Sequence, residues 1–301
     1  MIKNFSELLE KAKLGKKARL IVAAAQDEDV LKAVTNAAEL GLIEPILVGN
    51  LEKIDEIAKK LDLKIGGFKK INVLDDIESA RLSVKMIRDG EGDFLMKGIL
   101  QTADIMRAVL DKEIGIRTDS LISHVMVYQV PSYDKLLFLT DGGMNVAPDL
   151  NQKVQILENA VIVTKAMGLE KTYAAVLAGA ETVNPKIPAT VDAKAIADMK
   201  DKWTKLGVVV DGPVALDLAI SKEACKHKNY TGEGGGQADI LLVPYYEVGN
   251  TLGKSLTYFA GGKSAGIVMG AKVPIVLVSR ADNAETKLYS IALGSVISTN
   301  N

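Results

Sequence analysis

Short apolar runs alternate with longer amphipathic stretches, and this rhythm constrains the fold more than any single residue. Residues 19–25 read as a buried strand. Residues 27–40 follow with apolar side chains at 30, 31, 34, 37 and 38, the spacing of one helix face, with Gly41 placed as its C-cap. The pattern repeats as strand 45–48 and helix 51–61, strand 71–74 and helix 77–88, then strand 94–96 and helix 102–110. Crossovers of this kind are right-handed, so the repeat predicts an α/β fold with mainly parallel sheets and helices on both faces.

The alternation breaks at two successive strands, 125–130 and 135–139, joined by Pro131-Ser132-Tyr133-Asp134 as a hairpin. A second domain is expected to begin there. A long helix over 150–167, strands at 173–177, 208–210, 240–243 and 275–278, and a last helix over 284–297 complete the reading. The 301 residues, nearly half of them hydrophobic, suffice for two cores. A net charge of −1 argues against an extended nucleic-acid face. Cys225 is the single cysteine, which rules out an internal disulfide and fits a reducing cytoplasm. The first residues are charged where a signal peptide needs an apolar core, and no run of apolar residues is long enough to span a membrane. A cytoplasmic protein is the expectation.

Ser279 and Arg280 end the apolar run that starts at Val273, and a helix-like segment begins at once with Ala281-Asp282-Asn283. A hydroxyl, a guanidinium and helix N-terminal amides at one strand end suit an anion, most simply phosphate. Asp282 and Glu285 lie beside it, so group transfer is the chemistry suggested. Lys97-Gly98 follows another strand, with Thr102 as a candidate N-cap and Arg107 beyond; these residues suit either a ligand at the sheet's carboxyl edge or an ordinary βα turn. Thr140-Asp141-Gly142-Gly143-Met144-Asn145 allows close backbone approach to a ligand, or simply turns the chain. Asn250, which can cap a helix or bind a ligand carbonyl, precedes Lys254 by about one turn.

Other motifs fail. Gly261-Gly262-Lys263-Ser264 lacks the first glycine of a phosphate loop, because position 257 is Thr. The glycines at 232 and 234–236 follow no strand and read as a flexible loop. Two histidines and one cysteine make no zinc spacing. Lysines and a histidine near Cys225 can lower its pKa, although its surroundings also read as a solvated helix end.

As an ordered set, the surviving motifs resemble the phosphate acetyl/butyryl transferase family over nearly the whole length. The set is Lys97-Gly98 with Thr102, Asp104 and Arg107; the 140–145 segment with Pro148; Asp211-Gly212-Pro213 with Asp217; Asp239 to Pro244; Gly249-Asn250 with Lys254; and Gly266, Gly270, Pro274 and Ser279-Arg280. The resemblance is strongest to the butyryl-transferring branch. It implies two α/β domains like those of isocitrate and isopropylmalate dehydrogenases, here 1–122 with 266–301 and 123–265, with the active site in the cleft. It implies a homo-oligomer built on dimers. The implied reaction is butyryl-CoA plus phosphate giving butyryl phosphate plus CoA, without metal, cofactor or acyl-enzyme. Arg280 would hold the phosphate group and Ser279 the transition-state oxygen or the thiol. Lys97 and Arg107 would meet phosphates of CoA or of the acyl phosphate, and Asn145, Asn250 and Lys254 would line the cleft.

In the acetyl-transferring branch a catalytic aspartate stands seven residues after the serine, where this chain has Thr286. Asp282 or Glu285 replaces that base, or no protein base is used. Three alternatives remain: acetyl-CoA as substrate, an NAD- and metal-dependent 2-hydroxyacid dehydrogenase of similar fold, and a non-catalytic protein that has kept the fold. Asp211 and Asp217 are the carboxylates a dehydrogenase would draw on, and they do not make a full metal set.

Overall fold

A computed structural model describes residues 1–279 and 282–300, the last without its side chain. The described residues divide into two compact units. The first contains Phe5–Ser120 and Ala265–Asn301, and the second Met1–Asn4 and Leu121–Ser264.

The first unit opens with α1 (Phe5–Leu14), whose Phe5, Leu8 and Ala12 face inward. Then come β1 (Ala18–Ala23), α2 (Glu28–Glu39), β2 (Ile43–Gly49), α3 (Leu51–Lys60), β3 (Lys69–Asn72), α4 (Asp76–Arg88), β4 (Phe94–Lys97) and α5 (Thr102–Leu110). Local chemistry sets the helix starts. Asp27, Asn50 and Asp75 each accept a backbone N–H two or three residues inside the helix, supplying partners for otherwise orphaned donors. Leu40 is the C-cap of α2, and Gly41 is the next residue, at φ 78°.

In the second unit β5 (Ser123–Gln129) and β6 (Leu137–Thr140) form the expected antiparallel pair. They are followed by α6 (Leu150–Ala166), β7 (Thr172–Leu177), α7 (Pro188–Asp198), α8 (Lys200–Lys205), β8 (Val208–Val214), α9 (Leu216–Ile220), α10 (Lys222–His227), β9 (Ile240–Leu242) and α11 (Tyr246–Tyr258). The strand order is β5-β6-β9-β7-β8, parallel from β6 onward.

The chain then runs through β10 (Lys263–Met269), mostly within the first unit, to β11 (Ile275–Val276) and α12 (Ala284–Asn300). The first unit's order is β3-β2-β1-β4-β11-β10, parallel except for β10 against β11. Leu20, Ile21, Val22, Leu47, Phe94 and Leu95 are sealed within it, as expected for a parallel sheet covered on both faces. The inner side of α12, with Ile291, Leu293 and Ile297, is equally buried.

Three readings of the sequence need correction. The third strand is Lys69–Asn72, two residues before the apolar run that suggested 71–74, because an edge strand is half solvated and tolerates lysines. Residues 263–269, to which the sequence reading gave no element, form β10, so Lys263 and Gly266 belong to a strand. The loop at 232–236 is tied down: Gly234 N donates to Asp211 Oδ2 at 2.8 Å and Gly236 N to Leu218 O at 2.7 Å.

Candidate functional site

In the first unit β1, β4 and β11 run the same way, so their carboxyl ends share one edge. Ala23 pairs with Lys97, and Met96 with Val276. The segment after β4 presses onto the one after β1: Gly98 N donates to Ala23 O at 2.8 Å and Ile99 N to Ala24 O at 3.0 Å. A Cβ at position 98 would sit 2.0 Å from the Ala24 carbonyl oxygen, so only glycine allows this approach. Lys97 is 5% exposed, and its ammonium donates to Gly98 O at 3.2 Å and Leu100 O at 3.0 Å. It therefore braces the loop leading into α5 instead of projecting from the surface. Thr102 is the first helical residue, and Gln101 is the N-cap without a side-chain bond, which corrects the expected cap by one residue. Arg107 is exposed and pairs with Asp104 at 2.5 Å.

Beyond β11, Ser279 and Asp282 hold each other from both sides. Ser279 N donates to Asp282 Oδ2 at 2.8 Å, and Asp282 N donates to Ser279 O at 3.1 Å. Ser279 is exposed. The helix does not begin at once: α12 starts at Ala284, where the Asn283 carboxamide accepts Thr286 N at 2.9 Å as the cap. Thr286 thus spends its amide on the cap. Glu285 lies exposed on the first turn and accepts the Tyr289 hydroxyl at 2.9 Å, while the Tyr289 ring stacks on Phe5 with centroids 4.3 Å apart. The buried Lys287 donates to the Asp282 carbonyl oxygen. Arg280 lies outside the described residues.

In the second unit the parallel strands β6 and β9 end together, with Thr140 opposite Leu242. The segment after β6 is organised by Asp141, which is 2% exposed. Its Oδ1 accepts Gly143 N at 2.7 Å and Met144 N at 2.9 Å; its Oδ2 accepts Asn145 Nδ2 at 2.7 Å and His124 N at 3.2 Å. Asn145 also donates to Ile122 O at 3.0 Å, so its amide nitrogen is committed to this loop. Gly142 and Gly249 meet backbone to backbone: a Cβ on Gly142 would lie 2.6 Å from Gly249 C. That contact seats the loop on α11. Asn250 does not cap α11, which begins at Tyr246 after the N-cap Tyr245; it sits one turn inside and reaches Gly142 O at 3.3 Å. Lys254 is exposed one turn further on.

The sequence-derived residues thus fall into two groups, Lys97, Thr102, Arg107, Ser279, Asp282 and Glu285 in the first unit and Asn145, Asn250 and Lys254 in the second. Sequence reasoning overlooked the organising role of Asp141, although an aspartate before two glycines after a strand is the signature of a side-chain-stabilised turn. It also overlooked Lys287, since a lysine in a helix looks like any solvated one.

Cys225 is buried, and its thiol donates to Leu218 O at 3.1 Å. Burial, with Asp217 and Asp211 nearby, pushes the thiol pKa up, opposite to the lowering its basic neighbours suggested. Asp217 pairs with Lys228 at 3.0 Å, while Asp211 receives the Gly234 amide. Among the described residues no three His, Cys, Asp or Glu side chains converge as metal ligands, and no helix is long and apolar enough to cross a membrane.

Comparison with known proteins places these features in context. The chain is 43% identical over its full length to a phosphate butyryltransferase of Clostridium acetobutylicum, which it also covers completely. It is 42% identical to a phosphate acetyltransferase of Thermotoga maritima, over 97% of this chain and 99% of that protein. A branched-chain phosphotransacylase from Enterococcus faecalis superposes with a TM-score of 0.84 at 33% identity, over 93% of this chain and 99% of that one. A 4-hydroxythreonine-4-phosphate dehydrogenase from Burkholderia phymatum, at TM-score 0.58 and 11% identity, shares the fold alone. The family described as phosphate acetyl/butaryl transferase matches residues 4–82 and 74–295, and the chain belongs to it.

Proposed function

We propose that this protein transfers a short acyl group reversibly between coenzyme A and phosphate, with butyryl-CoA as the preferred thioester. The observation that carries the reading is identity along the entire chain with relatives named for that activity, rather than over an isolated domain. Ser279 supplies chemistry to match: it is exposed just past the carboxyl end of β11 and next in sequence to an arginine, and its backbone N–H is held by Asp282.

In the forward direction a phosphate oxygen attacks the thioester carbonyl, the C–S bond breaks, and the CoA thiolate leaves and takes up a proton. Holding the two substrates in line is worth up to about 7–11 kcal/mol. A donor to the developing oxyanion adds about 3–4 kcal/mol, and the Ser279 hydroxyl is the candidate. Arg280 is assigned to the phosphate as a planar bidentate partner. In the reverse direction the thiol must lose its proton, and Asp282 or Glu285 is the candidate base. Lys97 and Arg107 are assigned to substrate phosphates, and Asn145, Asn250 and Lys254 to substrate contacts.

The deciding experiment is phosphate-dependent loss of thioester absorbance across a panel of acyl-CoA substrates. Butyryl-CoA is expected to turn over fastest, and Arg280→Ala to abolish the reaction while leaving the protein folded. No phosphate-dependent turnover of any thioester overturns the proposal. A strong preference for acetyl-CoA would instead favour the second reading, which the Thermotoga relative motivates. One methylene gives only about 1–3 kcal/mol of discrimination, so several short thioesters are expected to react. The reaction as proposed uses no metal or cofactor, so dialysis against a chelator should leave the rate unchanged. A cytoplasmic location and a homo-oligomer built on dimers complete the proposal; fractionation and light scattering check them.

A further inference from the structure

Lys287 stands out among the cations of the first unit. It is 3% exposed, on the first turn of α12, and its ammonium donates to the Asp282 carbonyl oxygen. Among the described residues it has no carboxylate within ion-pair distance, whereas Lys97 has two carbonyl partners and the exposed Arg107 has Asp104. Desolvating an ammonium is unfavourable by several kcal/mol unless opposite charge offsets it. A buried lysine holding one carbonyl is therefore a poor device for stability alone.

Its location supplies a second reason. Asp282, whose carbonyl it holds, is the residue whose carboxylate pins Ser279 N at 2.8 Å. One residue thus links the buried ammonium to the backbone of the exposed Ser279. Asn283, between them and the helix, uses its side chain as the cap.

We infer that Lys287 is a positioning residue for Asp282 and Ser279, and that its buried charge favours a phosphate dianion bound beside Ser279. This rests on the reading of Ser279 and Arg280 as the phosphate site. The ammonium acts through Asp282: it orients the Asp282 carbonyl, so that the carboxylate and the Ser279 N–H keep one geometry. Its charge also completes the positive field when the anion arrives. A neutral unbranched side chain one atom shorter, as in Met, keeps most of the packing and removes both effects.

The test compares the wild type with Lys287→Met by steady-state kinetics and by the rise in unfolding temperature that inorganic phosphate produces. The wild type is expected to be active and stabilised by phosphate, since a ligand that binds only the folded state raises its stability. Lys287→Met is expected to fold with an unchanged or higher unfolding temperature, to lose at least tenfold in kcat/KM for phosphate, and to lose most of the phosphate-induced shift. Its KM for butyryl-CoA should stay within twofold. A Met variant with wild-type phosphate kinetics and shift overturns the inference and leaves the site assignment standing. A wild type with neither activity nor a phosphate shift overturns the site reading itself. Should the Met variant not fold, Lys287→Gln decides, because it keeps a donor for the Asp282 carbonyl and drops the charge. Retained phosphate kinetics in that variant refute the electrostatic role.

Discussion

Replacing Asp141 with asparagine removes one charge and almost no volume, yet it strikes the centre of the second unit's loop. The carboxylate is 2% exposed and accepts four N–H groups, two on each oxygen. An asparagine can serve only one of those pairs, since its amino group must face the other two donors. Each lost bond to a charged acceptor is worth about 1.5–3 kcal/mol. If the carboxamide oxygen keeps the Gly143 and Met144 amides, the losses fall on His124 N and Asn145 Nδ2. The Asn145 side chain can turn its own oxygen toward the new donor and recover part of the second loss. A destabilisation of about 2–4 kcal/mol follows. With a urea dependence of about 1–3 kcal/mol per molar, the midpoint should fall by about 1–2 M. The chain has one tryptophan, Trp203, buried in α8 of the second unit, so its fluorescence reports that unit's transition. In the folded variant, phosphate-dependent thioester loss should drop at least tenfold, because residues 143–145 lose their common anchor. A midpoint within about 0.3 M of the wild type would refute the account of Asp141 as the organiser.

Other perturbations test other parts of the molecule. Gly98→Ala places a methyl 2.0 Å from the Ala24 carbonyl oxygen and is expected to destabilise the first unit by more than about 2 kcal/mol, read by thermal unfolding. Asp93 is held below the usual carboxylate range by its hydrogen bond from the Arg19 guanidinium, so its stabilising effect is present above the unfolded value of about 3.9 and lost as pH falls through the lower folded value. Asp93→Asn should therefore lower the urea midpoint at pH 7, and its difference from the wild type should shrink progressively as the pH falls below about 3.9. The Cys225 thiol, raised by burial, should react with iodoacetamide at pH 8 far more slowly in the native protein than in urea, and Cys225→Ala should keep full activity.

Much of this architecture can be read from the chain because each signal is local. Apolar runs of β-branched residues and helices that start at Asp27, Asn50 or Asp75 carry their instructions within a few neighbours. β3 and β10 were harder. A lysine-rich edge strand and a glycine-led strand owe their conformation to ladder bonds with distant partners, and no local pattern encodes those. The same division runs through the site. Ser279, Asn145 and Asn250 are legible as polar residues at strand ends or helix starts, whereas Asp141 reads only as part of a turn.

The order of residues by itself determined the alternating α/β plan, the family and the set of polar groups available at the sheet edges, since these depend on periodicity and on which side chains follow each strand. Tertiary structure decided how those groups are spent. It buried Lys97 against loop carbonyls, moved the start of α12 to an asparagine cap, committed the Asn145 amide to Asp141, and left Lys287 buried against the Asp282 carbonyl. Burial and hydrogen-bond partnership arise between segments far apart in the chain, so the protonation, orientation and reach of a side chain are settled only when those segments meet.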